Sequence, residues 1–304
     1  MNAFAESGRS YYHRPSVRPL QLVVNPVSGN GRGVAVARGL ERRLRAEGYD
    51  ARTRVFQDSA EARVWVEDTR ERLDCLICVG GDSTLSEFAP VAVRLGARFL
   101  PVPTGFGNIF ARAFGHRADP DFVLRLLRGG RVLHADVGQE DKGGGLFLSS
   151  RSFGFLEAIK LGVEERMPPK SGLLRYLTYV RAAVDLVRTA PPPAIEVTVD
   201  GARVSNDAVM AIVANVPTYR GYLPLTPHAS AFDGLLDVLL VPRQSNLATV
   251  GVLMGFLLHH PGRWRQVQRL RGTLVSVTAS GEPADVLRVL PSALPVLAPG
   301  PDGR

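Results

Sequence analysis

Apolar residues in this chain fall into short runs and one-sided stripes. Leu20-Gln21-Leu22-Val23-Val24 is a strand-like run, cut off by Asn25-Pro26-Val27-Ser28-Gly29-Asn30-Gly31-Arg32-Gly33. Val34, Ala37, Leu40 and Leu44 then recur at the spacing of one helix face, up to Gly48. Residues 51–56 suit a second short strand, and the pattern predicts a helix over 61–72 with Val64 and Trp65 turned inward. Residues 73–79 read as a third, buried strand, from which Gly80-Gly81-Asp82 leads into a helix over 83–95. Residues 99–102 form a fourth strand before another Gly/Pro loop.

Strands alternating with helices of this length predict βαβ units and a parallel sheet. In such sheets ligands bind beyond the carboxyl ends of the strands. The three glycine-rich turns, 25–33, 80–84 and 103–108, each follow a strand and precede a helix, so they are expected at one edge. After about residue 135 the pattern changes. Segments 146–150, 195–200, 208–215, 235–241 and 273–279 are short, β-rich and bounded by Gly, Pro, Asn or Asp. They alternate poorly with helices, apart from 173–188 and 247–258, which predicts an antiparallel β domain with a helical excursion ended by Pro191-Pro192-Pro193. Residues 1–17 lack periodicity and read as a mobile arm.

Composition narrows the picture. The 304 residues are 45% hydrophobic and 22% charged, which suits a globular core and excludes wholesale disorder. Two Cys cannot staple a secreted scaffold. Cys75 and Cys78 match C-x-x-C, but on a strand they face opposite sides of the sheet, so buried structural thiols are expected rather than a redox or zinc pair. The six His show no metal-ligand spacing, and His259-His260 marks a helix end. The apolar stretch 247–258 is shorter than the roughly 18–20 residues of a spanning helix, and the first residues show no signal-peptide core. A cytoplasmic protein is therefore expected. The net charge is +8; such a surface favours phosphorylated ligands, anionic membranes or nucleic acid, but Arg stands in place of Lys almost everywhere, so most of the charge reads as a habit of composition. Nucleic acid is not expected, because no aromatic-and-basic platform is visible.

Two familiar motifs fail. Gly29-Asn30-Gly31-Arg32-Gly33 is not G-x-G-x-x-G, since position 34 is Val, though the loop can still offer backbone N–H groups to an anion. Ser83 is not a hydrolase elbow, since Leu85 stands at the last Gly. In Gly80-Gly81-Asp82-Ser83-Thr84-Leu85-Ser86-Glu87 the two Gly allow close backbone approach. Asp82 can orient a metal or a nucleophile, and Thr84 lies where a helix opens.

Taken in order, the motifs carry a resemblance. Residues 24–29 resemble the opening NPxSG of the diacylglycerol kinase catalytic family, which includes bacterial lipid kinases and sphingosine kinases. Residues 80–87 are similar to its GGDGTLNE, and Pro103-Thr104-Gly105-Phe106-Gly107-Asn108-Ile109-Phe110-Ala111-Arg112 to PxGTANxFAR. Ser152-Phe153-Gly154-Phe155 resembles SxGF, Val213-Ala214-Asn215 resembles VANG, and Phe232-Asp233-Gly234-Leu235-Leu236-Asp237 resembles DDGLLDV. Residues 290–297 are similar to the closing PxALxVL.

The resemblance implies a Rossmann-like parallel-sheet nucleotide domain (18–135) and an antiparallel β-sandwich lipid-substrate domain (136–285). A C-terminal segment (286–304) would return to the first. It implies transfer of the ATP γ-phosphoryl group to the hydroxyl of diacylglycerol or a related lipid alcohol, with Mg²⁺, in phospholipid biosynthesis. Carried over by position, Asn25, Ser28, Gly29 and Arg32 would hold the nucleotide from the first loop. Gly80, Gly81, Asp82 and Thr84 would form the phosphate and Mg²⁺ side, helped by Glu87 and Asn108. Asp233 would be general base, with Asp82 a competing assignment for that role. The implied partners are the lipid substrate and an anionic membrane surface met peripherally, with a homodimer left open.

Several positions depart from the family pattern. Ser83 stands at a Gly, which would cost roughly 1–2 kcal/mol if the site needs positive φ. Phe106 replaces Thr, Ile109 stands at a frequent Asp, Ser149 at a frequent Asn, Leu156 at a frequent Asp, and Ser280-Gly281-Glu282 replaces DGE. A catalytically impaired lipid- or nucleotide-binding relative is the alternative these departures raise. A kinase of a soluble substrate such as NAD shares the GGD logic but fits residues 232–237 and the closing motif less well.

Overall fold

Val24 of the first strand lies opposite Val79 of the third, and Gly80 of the third opposite Pro103 of the fourth, so these strands end level at one edge of a parallel sheet. The computed structural model describes residues 19–25, 31–105, 107–155, 181, 194–217, 219–220, 223–243, 267–279 and 284–300. The first half runs β1 (Leu20–Val24), α1 (Arg32–Ala46), β2 (Ala51–Val55), α2 (Ser59–Asp68), β3 (Cys75–Gly80), α3 (Asp82–Leu95), β4 (Arg98–Pro103), α4 (Ile109–Ala113) and α5 (Pro120–Gly129). Then come β5 (Arg131–Glu140), β6 (Leu146–Phe147), β7 (Ser150–Gly154), β8 (Ile195–Val199) and β9 (Ala202–Ala214). They are followed by β10 (Tyr219–Arg220), β11 (Leu223–Pro224), β12 (Leu236–Pro242), β13 (Gln268–Gly272), β14 (Leu274–Ala279) and β15 (Asp285–Ala298).

The parallel part has the order β2-β1-β3-β4, with helices on both faces. Alternation along the strands divides the core. Leu20, Leu22 and Val24 of β1 and Cys75, Ile77 and Val79 of β3 pack with α1 and α5, while Val23, Leu76 and Cys78 pack with α2, α3 and α4. The two thiols therefore lie on opposite faces, as the strand period requires. Both are fully buried, and burial pushes Cys75 up to about 12 and Cys78 well above its ordinary value.

β15 joins the two halves. Val296 pairs in parallel with Phe99 of β4, while residues 285–288 pair antiparallel with β14. From there β14, β8, β9, β12 and β13 continue antiparallel, and β5 lines the other side of β15. Their inward side chains, among them Val197, Val213, Val238, Val275 and Leu287, share one core. The architecture is thus a Rossmann-like parallel sheet followed by an antiparallel β-sandwich.

Some sequence expectations shift. α2 starts at Ser59, because Asp58 accepts from Glu61 N and the Glu61 carboxylate accepts from Gln57 N, a reciprocal cap, and it stops at Asp68. Its inward face is Ala62 and Val66 with Trp65 beside them; Val64 points out and is 57% exposed. β9 begins six residues before 208: Ala202, Arg203 and Ser205 pair with β8, yet the stretch 202–207 is exposed or half-buried and carries no apolar run. The arm 1–17, the helices proposed over 173–188 (save residue 181) and 247–258, and the triple proline lie outside the described residues.

Candidate active site

Between β1 and β3 the strand order reverses, the position at which open parallel sheets hold ligands. Asn25 leaves β1 there and donates a side-chain hydrogen bond to Glu87 of α3, tying the first turn to the second. Burial pushes the half-buried Glu87 carboxyl up, against the Asn25 bond and the Arg63 charge. α1 opens at Gly31 (φ +81) with no side-chain cap and no acidic residue in its first turn. Its first N–H groups and the positive end of the helix dipole therefore have no acidic residue of the helix's own first turn in competition. Arg32 is exposed at that end.

The second and third turns are docked on each other. Thr104 N donates to Gly80 O at 3.0 Å, and Gly81 and Gly105 meet backbone to backbone. A Cβ on Gly80 would fall 2.5 Å from Thr84 Cβ, so Gly is required where Thr84 packs down. Asp82 spans the two turns: Oδ2 accepts from Ile109 N at 3.0 Å and Oδ1 from Phe110 N at 2.9 Å. It thereby caps α4, a helix whose own N-cap residue, Asn108, makes no side-chain cap. Asn108, buried at φ +49, folds its side chain onto Gly105, accepting from Gly105 N at 2.9 Å and donating to Gly105 O at 2.8 Å.

Ser83 lies in the first turn of α3 and is not among the positive-φ residues, so Ser in place of Gly carries no left-handed strain here. Ser28 and Gly29, and the departures Phe106, Leu156 and Ser280, lie outside the described residues.

α4 also forms one wall of a cleft of about 510 Å³. Ile109, Arg112 and Phe114 face Val216 and Ala229–Phe232 of the β-rich half across it. The walls are largely apolar, Arg112 is exposed, and the Phe232 ring packs edge-on to Phe114 at 5.6 Å. Asp233 follows Phe232 and is exposed. Its carboxylate accepts from Leu235 N at 3.1 Å and lies 4.0 Å from Arg271, whose guanidinium also reaches Asp237 and His228 O. Burial pushes the Asp237 carboxyl up, opposed by Arg271 and reinforced by Asp233.

The structure thus brings Asn25, Gly80, Gly81, Asp82, Thr84, Glu87 and Asn108 together, whereas Asp233 follows the lining residue Phe232 and is not itself among the residues that line the cleft. Sequence reasoning missed Arg112 and Phe232 as cleft residues and gave no role to Asp136, whose buried carboxylate accepts from Gly234 N. A carboxylate inside the run Ala135-Asp136-Val137 was the available signal.

The residues fit a nucleotide. The α1 terminus carries no side-chain cap, which suits a phosphate, and the buried Thr104 hydroxyl has no partner among the described residues, which leaves it for a polar ligand atom. For Mg²⁺, Asp82 is the carboxylate at the docked turns; its oxygens keep only the lone pairs beyond the Ile109 and Phe110 bonds. No group of three metal-ligating side chains occurs among the described residues.

Comparison with known proteins agrees with this layout. Residues 19–140 match the diacylglycerol kinase catalytic domain and 161–297 the YegS C-terminal NAD kinase beta sandwich-like domain. The chain is 27% identical over 237 residues to a diacylglycerol kinase of Mycobacterium tuberculosis strain CDC 1551, covering 76% of each protein. It is 27% identical over 227 residues to a Klebsiella pneumoniae protein named "Probable lipid kinase YegS-like", covering 73% of this chain and 74% of that one. A crystal structure of a diacylglycerol kinase from Bacillus anthracis shares the fold, with a TM-score of 0.66 at 18% identity over 96% of this chain and all of that one.

Proposed function

This chain belongs to the diacylglycerol kinase catalytic family, a family of lipid kinases, and from that premise we propose that it moves the ATP γ-phosphoryl group to a hydroxyl of diacylglycerol or a related lipid alcohol. The observation that carries the reading is the apolar cleft between α4, which Asp82 of the docked glycine turns caps, and the segment 229–232 that leads into Asp233.

Phosphoryl transfer asks a protein chiefly to position reactants and neutralise charge. The open α1 terminus, with Asn25, Ser28, Gly29 and Arg32, takes the nucleotide from one side, and the backbone of Gly80, Gly81 and Thr104 takes it from the other. Thr84 and Glu87 set the α3 end of that cradle. Asp82 holds α4 against it and offers its remaining lone pairs to a phosphate-borne Mg²⁺, which supplies charge neutralisation when bound. Ile109, Phe114, Val216 and Phe232 take the acyl part of the acceptor. Asp233 receives the proton of the acceptor hydroxyl as its oxygen bonds to the γ-phosphorus and ADP leaves. A lipid acceptor requires contact with a membrane surface, and a net charge of +8 favours an anionic one. No helix among the described residues is long and apolar enough to cross a membrane.

The test is incubation of the purified protein with labelled ATP, Mg²⁺ and a panel of lipid alcohols in mixed micelles. Label in the diacylglycerol fraction or a related lipid alcohol supports the reading; label in none contradicts it. A second reading, a non-catalytic lipid- or nucleotide-binding member, is favoured by two observations: both Asp82 oxygens accept backbone N–H groups, and Ile109 stands where a further carboxylate is frequent. Calorimetry with Mg-ATP alongside the panel separates these, since nucleotide binding without transfer, or no nucleotide binding at all, supports the second.

A further inference from the structure

Asp136 stands in the middle of β5 and is 1% exposed. A carboxylate so deep is costly unless its oxygens are satisfied, and both are: Oδ2 accepts from Gly234 N at 2.8 Å and Oδ1 from Ser292 N at 2.7 Å. Its main chain is engaged as well. Asp136 N donates to Ala231 O at 2.8 Å, and Asp136 O accepts from Asn215 Nδ2 at 2.9 Å. Asn215, equally buried, extends the knot to Leu148 O and Ser149 O.

Two features of this knot point beyond stability. The Ala231 and Gly234 bonds bracket a two-residue tip, Phe232-Asp233. Phe232 lines the cleft, and Asp233 carries the carboxylate assigned above. In addition, Gly234 (φ +70) and Ser292 (φ +51) both sit in left-handed backbone, Ser292 where β15 slips register against β5 between Leu290 and Leu294. Two irregular turns from different parts of the chain are thus fastened to one side chain.

We infer that Asp136 is a positioning residue that fixes the Phe232-Asp233 tip against the cleft. It touches no reactant; it acts through Asp233, and to that extent the inference rests on the reading of Asp233 as base. An Asn at 136 keeps the shape but has one acceptor oxygen for two donors, so one turn is released. Hydrogen bonds to a charged group are strong enough that losing one corresponds to about 10–100-fold.

The experiment pairs amide exchange with kinetics. In the wild-type protein, Gly234 N–H and the exposed Ser292 N–H should exchange as slowly as the paired amides of β5; free-loop rates at both would overturn the inference without any variant. In Asp136→Asn, at least one of these amides should exchange about 10–100-fold faster. There kcat should fall by a similar factor, with KM for Mg-ATP unchanged. In the double variant with Asp233→Asn, the Asp136 change should add nothing to the loss from Asp233→Asn alone. Multiplying losses, or unchanged kcat with a freed Gly234 amide, would overturn it. Failure of the base assignment shows elsewhere, as full turnover in the single Asp233→Asn variant.

Discussion

Gly81 and Gly105 approach so closely that a Cβ on Gly105 would lie 2.5 Å from the Cα of Gly81. The contact is backbone against backbone, with no flexible side chain to yield. Gly105→Ala should therefore part the two turns and cost about 1–3 kcal/mol, as overpacking does. Urea denaturation of the variant against wild type measures it.

Ser83 gives a prediction of opposite sign to the one its motif position suggests. Were the site left-handed, Ser83→Gly would relieve strain and stabilise. It lies instead in the first turn of α3, outside the positive-φ set. Ser83→Gly should lower stability by about 0.5 kcal/mol through helix propensity, read as a lower denaturation midpoint.

Asp82 is expected to matter for folding as well as for activity. It supplies acceptors for two N–H groups at the start of α4. Asp82→Ala should cost about 1.5–3 kcal/mol. An unchanged unfolding midpoint would mean that those bonds are not made in solution.

His116 makes stability pH-dependent. It is buried, Nε2 donates to Leu297 O at 2.8 Å, and burial holds its pKa down at about 4, against 6.5 for a free imidazole. Between these values the unfolded chain binds a proton that the folded chain does not. The contribution is therefore complete above about pH 6.5 and is lost as pH falls towards 4, up to about 3 kcal/mol. The stability difference between wild type and His116→Gln, followed by denaturation from pH 7 to 4, should shift by that amount against wild type.

The sheet edge was legible because β1, β3 and β4 are largely apolar runs followed by glycine turns, with Gln21 the one polar residue inside β1. α1 was legible from the three- and four-residue spacing of its buried face. What escaped had a physical reason. β5 opens with exposed residues and carries Asp136 in its centre, so its apolar run is interrupted by the side chain that organises the turns. The first half of β9 pairs with β8 but is exposed or half-buried, with Val204 its one apolar side chain against the core. Val64 has helical spacing to no buried stripe. Within the site, Asp82 and Asp233 could be picked out. What holds them could not: the N–H groups at 109 and 110 lie 27 and 28 residues from Asp82, and the carboxylate at 136 lies 98 residues from Gly234, the neighbour of Asp233 that it binds, and only the fold brings them near.

If Asp233 takes the acceptor proton during phosphoryl transfer, removing its charge must slow the transfer without unfolding the protein. The decisive measurement is label passing from γ-labelled ATP to diacylglycerol in mixed micelles, for wild type and Asp233→Asn at matched folding. Wild type should transfer measurably and the variant about 10²–10⁴-fold more slowly, with the unfolding midpoint preserved. Equal transfer by both proteins would rule out Asp233 as the base.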